Sequence, residues 1–179
     1  MKTKEPKIYI ICGKAKTGKD SVAKIISENV NNCVTLSITE SLKYYAKLIT
    51  DWDGSEETKP RDLLQELGIE LIKEQIDGKF LIRRIIEDIK ILSYYKENII
   101  ISGVRLEEEI DEIKKTYDNV IVIKVTRPDF DNELTTKQKE HITENDLNEY
   151  IADYNIVNNG ELEVLEKKVI DILKGDKYE

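Results

Sequence analysis

Gly13-Lys14-Ala15-Lys16-Thr17-Gly18-Lys19 sets two glycines and a closing lysine at the spacing of a polyphosphate-wrapping loop. Glycine permits the tight curvature that turns successive backbone N–H groups inward, and a following helix N-terminus favours the anion. A lysine in that position reaches the outer phosphates. Asp20 stands where such loops usually carry Ser or Thr, and Ser21 follows it. A carboxylate is a hard oxygen ligand for Mg²⁺, so Asp20 and Ser21 are the candidate metal residues. The segment therefore predicts nucleoside triphosphate binding through Gly13, Lys16, Thr17, Gly18 and Lys19.

Arg61, Arg83, Arg84, Arg105 and Arg127 are the only arginines among 28 Lys and Arg residues. Phosphoryl transfer depends on positioning and neutralising charge more than on covalent chemistry. A guanidinium holds two phosphate oxygens in one plane, whereas an ammonium acts as a point charge. Arg105 follows an apolar run and Arg127 follows another, which places both near the carboxyl ends of strands, where open α/β sheets bind ligands. Arg61, Arg83 and Arg84 fall on helical stretches, where surface ion pairing is an equal account. Glu107-Glu108-Glu109 opens a helix and reads as a solvated face complementing the dipole. Trp52, between Asp51 and Asp53, fits either stacking on a base or partial burial against neighbouring helices.

Positioning these residues requires a scaffold, and the hydrophobic pattern supplies one. Short apolar runs alternate with helical periodicity, which predicts an α/β fold with a five-stranded, mainly parallel sheet and right-handed crossovers. The candidate strands are Lys7–Cys12, Cys33–Ser37, Ile99–Ser102, Val120–Val125 and Tyr154–Asn158. Helical spacing appears in Leu42, Tyr45, Ala46 and Ile49, in Leu64, Leu67 and Leu71, and in Ile82, Ile85, Ile86 and Ile89. It returns in Leu106, Ile110 and Ile113, and in Leu162, Leu165, Val169 and Ile172. Two consecutive inserted helices are expected between the second and third strands, and loops over Thr50–Pro60 and Arg127–Glu140.

At 179 residues the chain suits a single domain spanning residues 1–179. A net charge of −8 argues against a duplex nucleic-acid binder, though a local pocket can still be positive. No apolar segment approaches the roughly 20 residues of a membrane span, and Met1–Lys7 lacks the apolar core of a leader. Cys12 and Cys33 both fall in expected strands and form no CxxC, so buried reduced thiols in a cytoplasmic protein are expected.

Taken in order, several segments resemble the deoxynucleoside monophosphate kinase family of P-loop kinases, and nearly as much the animal-type phosphomevalonate kinases. They are Gly13–Ser21, Ser41-Leu42-Lys43, Arg61 to Glu70, Phe80–Ile86, Ile100–Arg105, Arg127-Pro128, His141-Ile142-Thr143-Glu144 and Asp153 to Gly160. The resemblance implies a three-layer P-loop kinase fold with an inserted acceptor-binding segment at about 39–96 and a lid at about 127–144. It implies ATP- and Mg²⁺-dependent transfer to a small-molecule phosphate monoester by a monomer or homodimer. Lys19, Arg105 and Arg127 would act on the transferring group. Lys43, Arg61, Arg83, Arg105 and His141 would face the acceptor. Where the family tends to carry Asp, this chain has Gly103. The resemblance therefore leaves room for Asp20 taking over part of that role, or for a nucleotide-binding protein with little turnover.

Overall fold

The computed structural model describes residues 5–128, 130 and 133–175. Met1–Lys4, which carry most of the segment compared with a leader above, lie outside the described residues. So do 129, 131 and 132 within the expected lid.

Strand β1 (Lys7–Cys12) sits at the centre of the sheet because its side chains are apolar in both directions. Ile8, Ile10 and Cys12 join one core and Tyr9 and Ile11 the other, the period of two that a strand imposes. Helix α1 (Lys19–Asn29) leaves the loop after β1 and precedes β2 (Cys33–Ser37). Three helical segments then replace the expected two: α2 (Glu40–Ile49), α3 (Arg61–Glu66) running straight into a π-helix at Leu67–Ile76, and α4 (Phe80–Leu92). Strand β3 (Asn98–Val104), helix α5 (Glu107–Thr116) and strand β4 (Val120–Thr126) follow. Short helices α6 (Thr136–Glu140) and α7 (Ile142–Asn145) precede β5 (Tyr154–Val157) and the closing helix α8 (Leu162–Gly175).

All the pairings are parallel, in the order β2-β3-β1-β4-β5. Helices α1 and α8 cover one face through Val22, Ile26, Leu165 and Val169. Helices α4 and α5 cover the other through Ile82, Ile85, Ile89, Ile110 and Ile113. Covering both faces explains the uninterrupted apolar runs of the central strands. Ile101, with no exposed surface, lies within the α4–α5 core. Ile101→Ala is expected to cost about 2–5 kcal/mol of unfolding free energy, measurable by denaturant titration.

Two features of the sheet set the site. Parallel strands place the ends of β1, β3 and β4 side by side, so Gly13, Arg105 and Arg127 leave the sheet from the same edge. Strand β3 also carries a bulge: Ile10 pairs with Ile101, but Cys12 pairs with Val104. The extra residue falls at Ser102-Gly103, where Gly103 has φ of 79°. A Cβ there would lie 3.1 Å from Ser37 Oγ and 3.2 Å from Thr39 Oγ1. Gly103 thus has a conformational reason of its own, and the bulge re-aims the residues that follow it, Arg105 among them.

The expected Arg127–Glu140 loop is in part helical. Thr135 Oγ1 accepts the Gln138 amide at 3.3 Å and Gln138 Oε1 accepts the Thr135 amide at 3.1 Å. This reciprocal cap starts α6 in a stretch poor in apolar residues. The Leu64, Leu67, Leu71 pattern, read as ordinary helix, continues from α3 into π geometry. Gly68, Ile69, Ile72 and Lys73 of this segment line one cavity.

Candidate active site

The loop from Gly13 to Gly18 bends through positive φ at Gly13 (135°), Lys16 (58°) and Gly18 (99°). Alternation of left- and right-handed residues is how main-chain amides come to line one concavity. Gly13 is fixed by contact as well: a Cβ would stand 2.2 Å from the Val125 carbonyl oxygen on β4. Asn158, just past β5, donates from Nδ2 to the Thr17 carbonyl at 2.9 Å. Thr17 Oγ1 donates to the Lys14 carbonyl at 3.0 Å. The loop is therefore held from below by β4, from the side by the β5 end, and by its own side chains.

Lys19 begins α1 and is buried, its Nζ donating to the Lys14 carbonyl. Burial first, and the charge of Arg105 second, pull its pKa down from 10.5 to about 7, while Glu144, Asp20 and Cys12 oppose the shift. Between these values the unfolded chain holds a proton that the folded chain has released, so stability rises with pH. The expected slope is at most about 1.4 kcal/mol per pH unit from pH 7 towards 10.5, lost in Lys19→Met. Denaturation of both proteins across that range checks it. Asp20 is exposed and Ser21 half-buried, both in the first turn of α1. Lys16 pairs with Glu133 at 2.5 Å.

One cavity opens between the ends of β2 and β3 and the inserted helices. Ile38, Leu42, Leu64, Ile69 and Ile72 contribute apolar wall. Lys43, Lys59, Arg61, Lys73 and Arg105 contribute positive charge to its lining, and Asp77, Glu108, Glu109 and Glu144 negative charge. Lys43 is 3.4 Å from Glu40, Arg61 pairs with Glu56, and Lys73 is 2.7 Å from Glu108. A second depression, between the loop and the segment after β4, is lined by Gly13, Thr17, Arg127 and Phe130. There the Arg127 guanidinium stacks 3.9 Å from the centre of the Phe130 ring.

The structure thus gathers Gly13, Thr17, Lys19, Arg105 and Arg127 around the carboxyl edge of the sheet, and Lys43 and Arg61 around the cavity. It does not bring Arg83 there. Arg83 is not itself a lining residue: its largely exposed guanidinium pairs with Asp77, which is one. His141 is also absent from that lining. Its Nδ1 lies 2.9 Å from Thr143 Oγ1 and accepts the Thr143 amide at 3.3 Å, capping α7, and its Nε2 lies 3.5 Å from Glu70. Trp52 donates from Nε1 to the Ser55 carbonyl at 2.9 Å and packs on the Leu42–Ile72 cluster, the burial alternative. Cys12 is buried, which pushes its thiol up to about 11, whereas Cys33 is only half-buried.

Two buried carboxylates of the site correct or extend the sequence reading. Glu109, expected on a solvated helix face, is buried and accepts the Arg105 and Leu106 amides at 2.8 and 3.0 Å. Burial raises its pKa against those bonds. Its neighbours Glu107 and Glu108 are exposed as expected. Glu144, given no role above, accepts the Ala15 amide on Oε2 at 2.8 Å and Arg105 Nη1 on Oε1 at 2.6 Å. These contacts span 129 and 39 positions of sequence, so no local pattern marks them.

The sequence profile of deoxynucleotide monophosphate kinases matches residues 41–169, well over half of the chain. The chain belongs to the deoxynucleotide monophosphate kinase family. The family match begins after the phosphate loop, so the loop's geometry is an independent observation. Solved structures share the fold. Shikimate kinase from Acinetobacter baumannii, in complex with shikimate, is 15% identical with a TM-score of 0.58, covering 99% of this chain and 97% of that one. APS kinase from Mycobacterium tuberculosis, in complex with AMPPNP and APS, is 13% identical with a TM-score of 0.52, over 95% and 98%. TT1252 from Thermus thermophilus is 17% identical with a TM-score of 0.54, over 96% and 98%. No curated protein matches the sequence. The fold is that of P-loop kinases, and the family makes this protein a phosphotransferase. Among the described residues, no helix is long and apolar enough to cross a membrane.

Proposed function

We propose that this kinase transfers the γ-phosphoryl group of ATP, with Mg²⁺, to a (deoxy)nucleoside monophosphate, giving the diphosphate. The observation that carries this reading is a curled phosphate loop lining one depression beside a second cavity with apolar walls and the Arg105 side chain, the two joined by Glu144, which lines both and bonds Ala15 and Arg105. Apolar walls suit a flat base, and the lysines and arginines of the lining suit its phosphate. The family description points the same way.

In this reading the loop amides, with Lys16, Thr17 and Lys19, hold the donor phosphates. Asp20 and Ser21, in the first turn of α1, fit Mg²⁺. That ion takes oxygen ligands, usually one or two from protein and the rest from water and phosphate. It would neutralise charge on the donor phosphates. Lys43, Arg61 and Arg105 hold the acceptor phosphate, and the 39–96 segment holds the remainder of the acceptor. Arg127 approaches the transferring group as the 127–144 segment closes over it. Because the transition state is loose, alignment and neutralising charge dominate, and a strong base at position 103 is not required.

The test measures ADP release from ATP across natural nucleoside and deoxynucleoside monophosphates, with phosphomevalonate and dephospho-coenzyme A alongside. Release that depends on one or more nucleoside monophosphates is expected. Stimulation by one of the other esters alone changes the acceptor class, and stimulation by nothing tested sinks the reading.

A further inference from the structure

We propose that Glu144 is a positioning residue that locks the phosphate loop and the Arg105 guanidinium into one rigid unit throughout turnover. The inference rests on the proposed reaction and adds a part to it.

A single carboxylate, 6% exposed, bridges two groups that belong to opposite halves of the site. Oε2 takes the N–H of Ala15 in the phosphate loop. Oε1 takes Nη1 of Arg105, beside the cavity. Both bonds are charge-assisted, the one to Ala15 buried and the one to Arg105 partly so, and shielding from water strengthens such bonds. Among the described residues, Glu144 is the one carboxylate bonded to both.

Comparison with Glu109 separates its role from simple structural support. Glu109 binds the main chain at Arg105 and Leu106, and so holds the start of α5. Glu144 holds the far end of the same arginine, the part that would meet phosphate. The backbone of Arg105 is therefore secured by one acid and its guanidinium aimed by another.

The helix carrying Glu144 is tied in turn to the inserted segment. His141 caps it and sits 3.5 Å from Glu70 of the π-helix. Gln138, one helix earlier, donates to Asp62 of α3 at 2.7 Å. Glu144 thus stands where the loop, the arginine and the inserted helices meet.

Glu144→Gln keeps the size but turns an NH₂ group towards one of two donors, so one bond must break. The expected result is a fall in kcat of about ten- to a hundredfold, the cost of a misaligned reacting group. The ATP dissociation constant should stay within about threefold, since Asn158, Thr17 and the packing of Gly13 on β4 still hold the loop. The loss should also largely vanish in an Arg105→Lys background, because both changes disrupt the same alignment. Retained kcat, or full additivity with Arg105→Lys, overturns the proposal.

A crystal structure of the wild-type protein with a non-hydrolysable ATP analogue and acceptor decides the matter even if the variant fails to fold. Ala15 N should remain within hydrogen-bonding distance of Glu144 Oε2, and Arg105 Nη1 within that of Oε1. If the Ala15 amide turns to a phosphate, or Arg105 leaves Glu144, the proposal fails. A wild-type protein without turnover on any acceptor counts against the proposed reaction, while the structure still judges the contact.

Discussion

Lys19→Met is expected to abolish useful transfer while making the folded protein more stable. The two effects have one cause. Lys19 is buried and its charged form is disfavoured, as its pKa near 7 records. Below pH 7 the folded chain carries that cost in full, so a neutral side chain of similar length relieves it. The gain should be largest below pH 7 and fade towards pH 10.5. Loss of the bond to the Lys14 carbonyl offsets part of it. Function moves the other way. Removing a charge-assisted contact typically costs about 1.5–3 kcal/mol, or roughly 10- to 150-fold in ATP affinity. If the lysine follows charge onto the transferring phosphate, kcat should fall by a further 10²–10³, approximately. Calorimetric titration with ATP, steady-state rates and thermal unfolding measure the three quantities separately. Unchanged ATP affinity would contradict the assignment of the loop.

Gly13→Ala is expected to damage the fold and the loop together. The residue has φ of 135°, a region L side chains rarely enter, and the added methyl would meet the Val125 carbonyl at 2.2 Å. That oxygen belongs to a central strand and has little freedom to retreat. Backbone strain together with the clash should cost about 2–4 kcal/mol, and relief by moving the loop would spoil the amide arrangement. Denaturant titration should show the loss, and ATP binding should weaken in whatever folded protein remains. A variant within about 0.5 kcal/mol of the wild type would mean that loop and β4 are farther apart than described.

How much of this was legible in the sequence depends on whether the cause is local. The strands and the main helices were readable because continuous or periodic apolar runs have few ways to be buried. Arg105 and Arg127 were readable because they follow strands, and a parallel sheet delivers strand ends to one edge. Arg83 carried a warning. Ile82, Ile85 and Ile89 turn the α4 face inward, and the next residue along a helix points about 100° away. Thr135 and Gln138 formed a recognisable cap, masked by the polarity around them.

Other features had no local signature. The π-helix differs from an α-helix by a fraction of a residue per turn, too little for a ten-residue pattern to reveal. Glu109 is an acid like many others in a chain with 36 of them, and Glu144, though it closes one of the segments that carry the resemblance, owes its role to tertiary contacts. Gly103 read as the loss of a carboxylate. Seen in place, its positive φ and the bulge in β3 give a backbone reason for glycine. An aspartate there would carry strain of its own, so Gly103→Asp is a poor way to ask whether the site is active.

The central claim is that the amides of residues 13–19, apart from that of Ala15, which Glu144 holds, cradle a triphosphate tail opposite an acceptor phosphate held by Arg105. A crystal structure with a non-hydrolysable ATP analogue, Mg²⁺ and a deoxynucleoside monophosphate tests it most directly. The β- and γ-phosphates should lie inside the loop within hydrogen-bonding distance of its amides and Lys19, with the monophosphate against Arg105. An analogue bound elsewhere, or phosphates held outside that curl, would contradict the account.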